Sequence, residues 1–325
     1  MICLCCGKEI PMKDSTTEEI KSCWHNRCIK KFFGTKILPD INISEEMLKQ
    51  LAEESINKGF TVPGVQKKLS LHLTEENQPR LTLTNYPTGY ILKPQTEDYQ
   101  ALPEAEYLVM KMAEKTGIKT VPFALIRINE QNDKLAYITR RIDRVKRKKK
   151  GKTDLLAMED FCQLDGRLTQ DKYRGSYERC AKIIKHYSEF PGLDLSELFL
   201  RIVFSFVAGN SDMHLKNFSL IETAAGSGRY KLSDAYDMLP VNIILPKDKE
   251  QTALTINGKK QNIRKKDFII FAETAGIPQK TAKMLIGKVV SLQTNYLEMC
   301  RNSFLPQNMK ESLEKLISER IYTIT

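Results

Sequence analysis

Hydrophobic and polar residues alternate along several short segments in the first half of the chain. Residues 69–73 and 81–84 carry apolar side chains with a period of two. The segments 90–93, 123–128 and 135–140 are further short runs of apolar and aromatic residues. Such runs are typical of β-strands that bury one face or both faces. The first half of the chain is therefore predicted to form a β-sheet.

Helical spacing interrupts these strands twice and dominates the second half. In the first half, helices are predicted at 44–57, with Ser44 as N-cap, and at 103–115, ended by Gly117. In the second half, helices are predicted at residues 176–187, 195–207, 267–275, 279–294 and 309–321. The predicted secondary structure changes from mostly strands to mostly helices near residue 160. The pattern predicts an α+β chain in which a β-rich part precedes a helical part.

The N-terminal segment is rich in cysteine. Five of the eight cysteines lie in the first 28 residues, around His25: Cys3, Cys5, Cys6, Cys23 and Cys28. Two pairs, Cys3 with Cys6 and His25 with Cys28, each have two residues between their members. Thiolate and imidazole ligands at this spacing are typical of a tetrahedral structural Zn²⁺ site. These four residues are the predicted ligands, although Cys5 and Cys23 leave the choice of four open.

Positive charge is concentrated in one segment. Lys and Arg number 51 against 40 Asp and Glu, which gives a net charge of +11. Residues 140–152 hold nine basic residues and one acidic residue, so they carry +8 and the other 312 residues carry +3. A basic surplus first suggests nucleic acid, but this distribution indicates a near-neutral protein with one basic loop. The loop is either a solvated segment or one that recruits an acidic partner or a tRNA-bound substrate.

Apolar runs in the sequence are short. None approaches the ~18 residues of a transmembrane helix, and the N-terminus lacks the apolar core of a secretory signal. We therefore expect a cytoplasmic protein that does not enter a membrane.

A group of polar residues after an apolar helix is the strongest candidate for chemistry. Asp212 and Asn217 are five residues apart. Kinase catalytic loops use this spacing for an aspartate that accepts the proton of the substrate hydroxyl and an asparagine that holds Mg²⁺. Asp237, which follows a predicted strand at 229–232, adds a second hard oxygen ligand of the kind that Mg²⁺ prefers.

Other parts of a kinase site follow in the expected order. Lys93 ends a predicted strand, where its ammonium group would reach the phosphates of ATP. The next helix offers Glu104 and Glu106, and we favour Glu106 as the ion-pair partner of Lys93. Residues 61–68 precede a strand and would cover the phosphates, and residues 158–161 lie where backbone groups would meet adenine.

Taken together, several stretches resemble the HipA family. Members of this family are Ser/Thr protein kinases of bacterial toxin–antitoxin modules. The stretches are residues 62–73, 90–94, 102–107, 140–144, 158–163, 172–178, 209–220 and 232–240. The most specific runs from Gly209 through Asp212 and His214 to Asn217, and the pair Tyr236 and Asp237 follows it. The resemblance covers about residues 58–310. It implies a two-lobed, protein-kinase-like fold with a β-rich N-lobe and a helical C-lobe.

The resemblance also implies a role for each matched residue. Asp212 is the catalytic base, and Asn217 and Asp237 hold Mg²⁺. The residues implied to contact ATP are Pro63, Gly64, Val65, Gln66, Lys67, Lys68, Lys93, Met158, Glu159, Phe161 and His214. Family members autophosphorylate a serine near the phosphate loop. This chain has Thr61 at that position and Pro63 where some members have a serine, so autophosphorylation of Thr61 stays open.

Substrates and partners are likewise implied by the resemblance. Family members phosphorylate aminoacyl-tRNA synthetases and arrest growth. Only about 60 residues precede the predicted phosphate loop, so the chain looks like the shortened toxins of split systems. In those systems a small antitoxin-type protein supplies the missing N-terminal subdomain, and DNA is contacted only through a partner.

We therefore predict three parts: a Cys/His module at 1–36, a kinase N-lobe at 37–160 and a helical C-lobe at 161–325. The predicted function is that of an ATP- and Mg²⁺-dependent Ser/Thr protein kinase with a structural Zn²⁺. The alternative is a zinc-containing nucleic-acid-binding regulator. It would use the basic loop 140–152 and a helix-turn-helix near 267–285.

Overall fold

The structure is a computed structural model that describes residues 1–41, 68–74, 78–82, 89–129, 132–146 and 153–325. The predicted helix at 44–57, Thr61, and the phosphate-loop residues 63–67 lie outside the described residues, as do residues 147–152 of the basic loop. Two compact units are formed, one by Met1–Tyr107 with Pro122–Arg141 and the other by Leu108–Val121 with Ile142–Thr325. The division at residues 36 and 160 stays a prediction.

The first unit is built on an antiparallel sheet. Its elements are α1 (Thr17–Ser22), α2 (Asn26–Phe33), β1 (Leu69–Leu73), β2 (Leu81–Thr82), β3 (Tyr90–Pro94), the first part of α3 (Leu102–Thr116), β4 (Phe123–Asn129) and β5 (Asn132–Arg140). Helix α3 continues into the second unit from Leu108. The strand order is β2-β1-β3-β5-β4. In β1 the apolar residues Leu69 and Leu71 are buried while Ser70 between them is exposed. The period of two therefore predicted this strand and the face that it buries.

The second unit is mainly helical. Its strands are β6 (Arg144–Lys146), β7 (Thr153–Leu155), β8 (Met158–Asp160), β9 (Ser219–Glu222) and β10 (Tyr230–Leu232). Its helices are α4 (Phe161–Leu164), α5 (Tyr177–Tyr187), α6 (Pro191–Val207), α7 (Val241–Ile244), α8 (Lys265–Thr274), α9 (Gln279–Ser291), α10 (Gln293–Arg301) and α11 (Gln307–Ile324). The helix predicted at 279–294 ends at Ser291, and α10 begins after Leu292.

A small sheet within this helical unit positions the candidate site. Strand β9 lies between β8 and β10 and is antiparallel to both. The strand at 229–232 was predicted, whereas β9 was not. All four residues of β9 are buried, so its sequence lacks the alternation of a half-exposed strand.

The longest apolar helix, α6, lies at the centre of the helical packing. Phe199 of α6 stacks on Phe271 of α8 at 6.0 Å between ring centroids, and Phe206 packs edge-on against Phe268 at 5.4 Å. The helices proposed as a helix-turn-helix, α8 and α9, are thus part of the apolar core. Across the parts of the chain that the structure describes, no helix is both long and apolar enough to cross a membrane.

Candidate active site and metal-binding cluster

The loop that follows α6 brings Asp212 and Asn217 together. Asn217 is buried, and its side-chain N–H donates to the carbonyl oxygen of Asp212 over 2.8 Å. His214 and Asn217 add two backbone bonds that close the turn, with His214 N–H donating to Asp212 O and Asn217 N–H to His214 O. The side-chain nitrogen of Asn217 is used in the bond to Asp212 O, so the side-chain oxygen of Asn217 is the atom suited to a hard cation.

Gly209 allows the chain to leave α6 and enter this loop. Its φ of +69° lies in the left-handed region, which disfavours residues with a Cβ atom. A Cβ at this position would also overlap the side chain of Leu316 in α11. The loop therefore needs glycine for both conformation and space.

A Gly209→Ala variant is expected to lower the free energy of unfolding by about 1–3 kcal/mol, because it adds backbone strain and overpacking. Urea denaturation measures the change. Gly192→Ala is the matched control, since no described atom lies within 4 Å of the added Cβ and Gly192 lies in the first turn of α6. This control should be neutral or slightly stabilising. Equal stability of the two variants would contradict the account of Gly209.

Tyr173 contacts the side chain of Asp212, a feature that the motifs did not predict. Its hydroxyl donates to Asp212 Oδ1 over 2.6 Å. The Tyr173 ring packs edge-on against His214, with 5.0 Å between centroids. Burial, and secondarily the Asp212 charge, raises the pKa of Tyr173, so its hydroxyl stays protonated and acts as a donor at neutral pH.

The segment that carries Asp237 is joined to the same loop by Tyr236. The Tyr236 hydroxyl donates to the carbonyl oxygen of Lys216 over 3.1 Å and lies 2.6 Å from Ser219 Oγ. This bond connects the residue before Asp237 with the residue before Asn217. Asp237 itself has a φ of +59°, a conformation that aspartate tolerates better than most residues and that is often found at functional sites.

Two further contacts fix the path of the Asp237 segment. Arg201 of α6 is buried and its guanidinium donates to the carbonyl oxygen of Ser233 over 2.8 Å. The backbone of Ala235 bonds to the two residues that flank Thr120. Its N–H donates to Lys119 O, and its carbonyl oxygen accepts from Val121 N–H. A cation binding to Asp237 would therefore meet a pre-formed backbone.

Strand β8, which carries Met158 and Glu159, is held against the Asn217 end of the loop. Lys216 forms an ion pair with Asp160 at 2.6 Å. The backbone N–H of Phe161 donates to Phe218 O, and the buried Phe161 ring stacks on Phe218 at 5.7 Å. The side chain of Phe161 therefore packs in the core, and Met158 and Glu159 are the more accessible residues of this segment.

Glu222 at the end of β9 organises the start of β8, a role that no pattern in the sequence indicates. Its carboxylate accepts the backbone N–H of Gly228 over 2.9 Å and that of Ala157 over 3.3 Å. These backbone bonds, led by that of Gly228, hold the pKa of Glu222 below its usual range.

In the first unit, Lys93 and Glu106 form a buried ion pair. The Lys93 Nζ atom lies 2.5 Å from a carboxylate oxygen of Glu106, and both side chains are almost fully buried. The ammonium group also lies 5.2 Å from the ring centroid of Tyr137. The choice of Glu106 over Glu104 is confirmed. Lys68 is exposed and directly precedes β1.

Four of the six candidate zinc ligands converge in the first unit. The ligand atoms of Cys3, Cys6, His25 and Cys28, here called the N-terminal cluster, all lie within 4.8 Å of one another. Cys6 Sγ is 3.4 Å and Cys28 Sγ is 4.0 Å from His25 Nδ1. The other ring nitrogen, Nε2, lies 3.1 Å from the carbonyl oxygen of Glu9. Nδ1 therefore faces the thiols. Metal-binding histidines are commonly oriented in this way, by a hydrogen bond from the ring nitrogen that does not bind the metal.

The remaining two cysteines of this segment are placed differently. Cys23 lies beside the sulfur of Met1 and the carbonyl oxygen of Ile20. The backbone carbonyl of Cys5 accepts a hydrogen bond from the Tyr107 hydroxyl over 3.2 Å. Three sulfur atoms and one imidazole nitrogen in one shell fit the donor set of a structural Zn²⁺.

The N-terminal cluster is packed onto the sheet of the first unit. Phe32 and Phe33 of α2 pack at a tilt against Tyr90 of β3, with centroid distances of 6.0 Å and 5.3 Å. Arg140 of β5 donates to the carbonyl oxygen of Phe32 over 3.2 Å, at the C-terminal end of α2. A metal held by Cys28 would therefore also hold α2 on the strands.

Comparison with known proteins identifies the family. The family model described as the HipA-like C-terminal domain matches residues 60–295. The chain belongs to the HipA-like C-terminal domain family. Relatives of the chain carry the name "Putative kinase", which together with the family match supports a HipA-type kinase. The one from Haemophilus influenzae is 27% identical over 292 residues, which are 81% of each chain.

Two further relatives come from Sinorhizobium fredii. The kinase Y4mE is 28% identical over 71% of this HipA-type chain and 54% of its own length. The kinase Y4dM is 30% identical over 55% of this chain and 44% of its own length. The chain thus spans about half the length of these two relatives and most of the Haemophilus protein.

Solved structures confirm the kinase-like fold of this HipA-family chain. Shewanella oneidensis HipA, solved with HipB and its operator DNA, matches with a TM-score of 0.67 at 17% identity, over 86% of this chain and 71% of the other. The Helicobacter pylori proinflammatory kinase CtkA matches with a TM-score of 0.50 at 15% identity, over 79% of this chain and 93% of the other. The predicted α+β fold and the HipA resemblance are confirmed.

Proposed function

We propose that this HipA-type kinase transfers the γ-phosphoryl group of ATP to serine or threonine hydroxyls of a protein, with Mg²⁺. The observation that carries the proposal is the joined loop system around Asp212, Asn217 and Asp237. Asp212 would accept the proton of the attacking hydroxyl, and the oxygens of Asn217 and Asp237 would hold Mg²⁺. The metal would neutralise the developing phosphate charge, while the protein mainly positions and orients the reactants.

Lys93 of the first unit is a proposed nucleotide contact. Lys93 would bind phosphate oxygens through its ammonium group, and the buried carboxylate of Glu106 supports this role because it fixes the ammonium in place. Residues Pro63, Gly64, Val65, Gln66, Lys67 and Lys68 are proposed to cover the phosphates. In the second unit, Met158, Glu159 and His214 are proposed nucleotide contacts, and Phe161 would contribute by packing.

Thermal unfolding with and without MgATP tests this proposal. A ligand that binds only the folded state stabilises it by about 2.7 kcal/mol at 100 times its Kd. The wild-type Tm should therefore rise with MgATP. In Lys93→Met/Glu106→Gln both buried charges are removed together, so that neither is left uncompensated. This variant should bind MgATP at least about tenfold more weakly.

The control for that variant is Lys111→Met. Lys111 also pairs with a helical carboxylate, Glu114, but this pair is partly exposed, so its loss should leave the MgATP shift unchanged. An undiminished shift in the Lys93→Met/Glu106→Gln variant would contradict the assigned role of Lys93. No MgATP shift in the wild type would contradict the kinase proposal.

A Zn²⁺ ion in the N-terminal cluster is part of the same proposal. The ion would be structural, because three thiolates and one imidazole complete a four-coordinate shell. It would link the N-terminal segment to α2 and, through Phe32 and Phe33, to strand β3.

The biological role is proposed from the family. We propose that the chain is the toxin of a toxin–antitoxin system that phosphorylates a translation component such as an aminoacyl-tRNA synthetase. Shewanella HipA was solved with HipB and operator DNA, which supports an antitoxin-type partner and DNA contact through that partner. Thr61 is the proposed autophosphorylation position.

A further inference from the structure

We infer that Tyr173 is a positioning residue that holds the carboxylate of Asp212 in the orientation needed to accept the proton of the substrate hydroxyl. The inference rests on the proposed function, in which Asp212 is the base. It adds a residue to which the sequence analysis assigned no role: Tyr173 lies 39 residues before Asp212, in the stretch 172–178 that resembles the HipA family.

The contact itself has the geometry of a strong hydrogen bond. The Tyr173 hydroxyl donates to Asp212 Oδ1 over 2.6 Å, within the range of O–H···O⁻ bonds to a charged acceptor. A carboxylate offers about four acceptor positions on two oxygens, so it can accept from Tyr173 and from a substrate hydroxyl together. A bond to one oxygen also fixes the rotation of the carboxylate about its Cβ–Cγ bond.

Tyr173 is partly exposed, and its ring contacts two neighbouring side chains. His214 packs edge-on against one side of the ring, and the Lys172 ammonium lies 4.9 Å from the ring centroid. The carbonyl oxygen of Lys172 accepts the backbone N–H of Leu215 over 3.1 Å, so the residue before Tyr173 is tied to the loop that carries Asp212.

The chain after Tyr173 is anchored as well. Ser176 caps α5 by accepting the backbone N–H of Arg179, and Tyr177 N–H donates to Thr255 O over 3.0 Å. The Tyr177 hydroxyl donates to the carbonyl oxygen of Met213, the residue after Asp212. A side chain anchored on both sides suits a fixed support for Asp212 better than a lid that must swing away for each substrate.

Single-turnover phosphoryl transfer tests the inference. Radiolabelled ATP with Mg²⁺ is supplied to wild type, Tyr173→Phe, Asp212→Asn and the double variant, with the chain itself and a Ser/Thr peptide library as acceptors. Tyr173→Phe keeps the ring contacts and removes only the hydroxyl. We expect its maximal rate to fall about 10- to 100-fold, with KM for ATP and Tm unchanged.

The double variant separates positioning from general damage. Because Tyr173 acts through Asp212, the Tyr173→Phe change should have no further effect on the residual rate of Asp212→Asn. Tyr187→Phe, at the exposed end of α5, is the matched control and should keep the wild-type rate.

Several results would overturn the inference. An unchanged rate in Tyr173→Phe, or an additive loss in the double variant, would remove the positioning role. A faster Tyr173→Phe variant would show instead that Tyr173 occupies the place of the acceptor hydroxyl. Absence of transfer by the wild type would overturn the proposed function itself, and the inference with it.

Discussion

An Asp212→Asn variant is expected to transfer the γ-phosphoryl group about 10²- to 10⁴-fold more slowly than the wild-type chain, because general base catalysis contributes that range. Asparagine has nearly the same shape, and its amide oxygen can still accept the hydrogen bond from Tyr173. The change therefore removes the proton acceptor without removing the support. Rapid-quench measurement with radiolabelled ATP gives the rate.

The control is Asp171→Asn, which removes a carboxylate from the same unit. Asp171 pairs with Arg174, whose side chain is largely exposed, so little stability is at stake. Its rate should match that of the wild type, and both variants should keep the Tm shift with MgATP. If Asp212→Asn kept the full rate, another group would have to be the base.

A Cys28→Ser variant is expected to lose Zn²⁺ and to destabilise the first unit. Changes outside the ligand shell of a metal site already cost 10–100-fold in affinity, so the loss of a ligand should cost more than about 100-fold. Metal binding energy is folding energy in such sites. Since Cys28 belongs to α2, which packs on Tyr90 through Phe32 and Phe33, the effect should reach the sheet.

Metal analysis and thermal unfolding of purified variants measure both effects. Cys5→Ser is the matched control from the same segment, because Cys5 is not a member of the N-terminal cluster. It should keep one equivalent of Zn²⁺ and the wild-type Tm. Less than about half an equivalent in the wild type, or equal metal content in Cys5→Ser and Cys28→Ser, would contradict the proposed ligand set.

Local patterns predicted much of the fold. Period-two alternation marked β1, and helix α5, predicted at 176–187, begins at Tyr177 with Ser176 as its cap. Strand β9 was missed because a strand buried on all sides shows no alternation. The helical pattern at 279–294 did not show that two helices meet at Leu292, because neither glycine nor proline marks the end of α9 there.

The candidate site was predictable where chemistry is confined to one short segment. Asp212 and Asn217 are close in sequence, and the order of elements indicated the helix that carries the partner of Lys93. Spacing alone could not select four zinc ligands from six candidates. The selection depends on the tertiary structure, in which the start of α2 brings His25 and Cys28 to Cys3 and Cys6. Tyr173 and Glu222 were missed because their roles arise from tertiary contacts with Asp212 and Ala157.

Phosphoproteome comparison of cells that express the wild-type chain or Asp212→Asn at matched levels tests the central claim most directly. We predict serine or threonine phosphosites that appear with the wild-type chain and are absent with the variant. Because only the proton acceptor differs between the two proteins, such sites would depend on phosphoryl transfer by this chain. Identical phosphoproteomes in the two cultures would contradict the account.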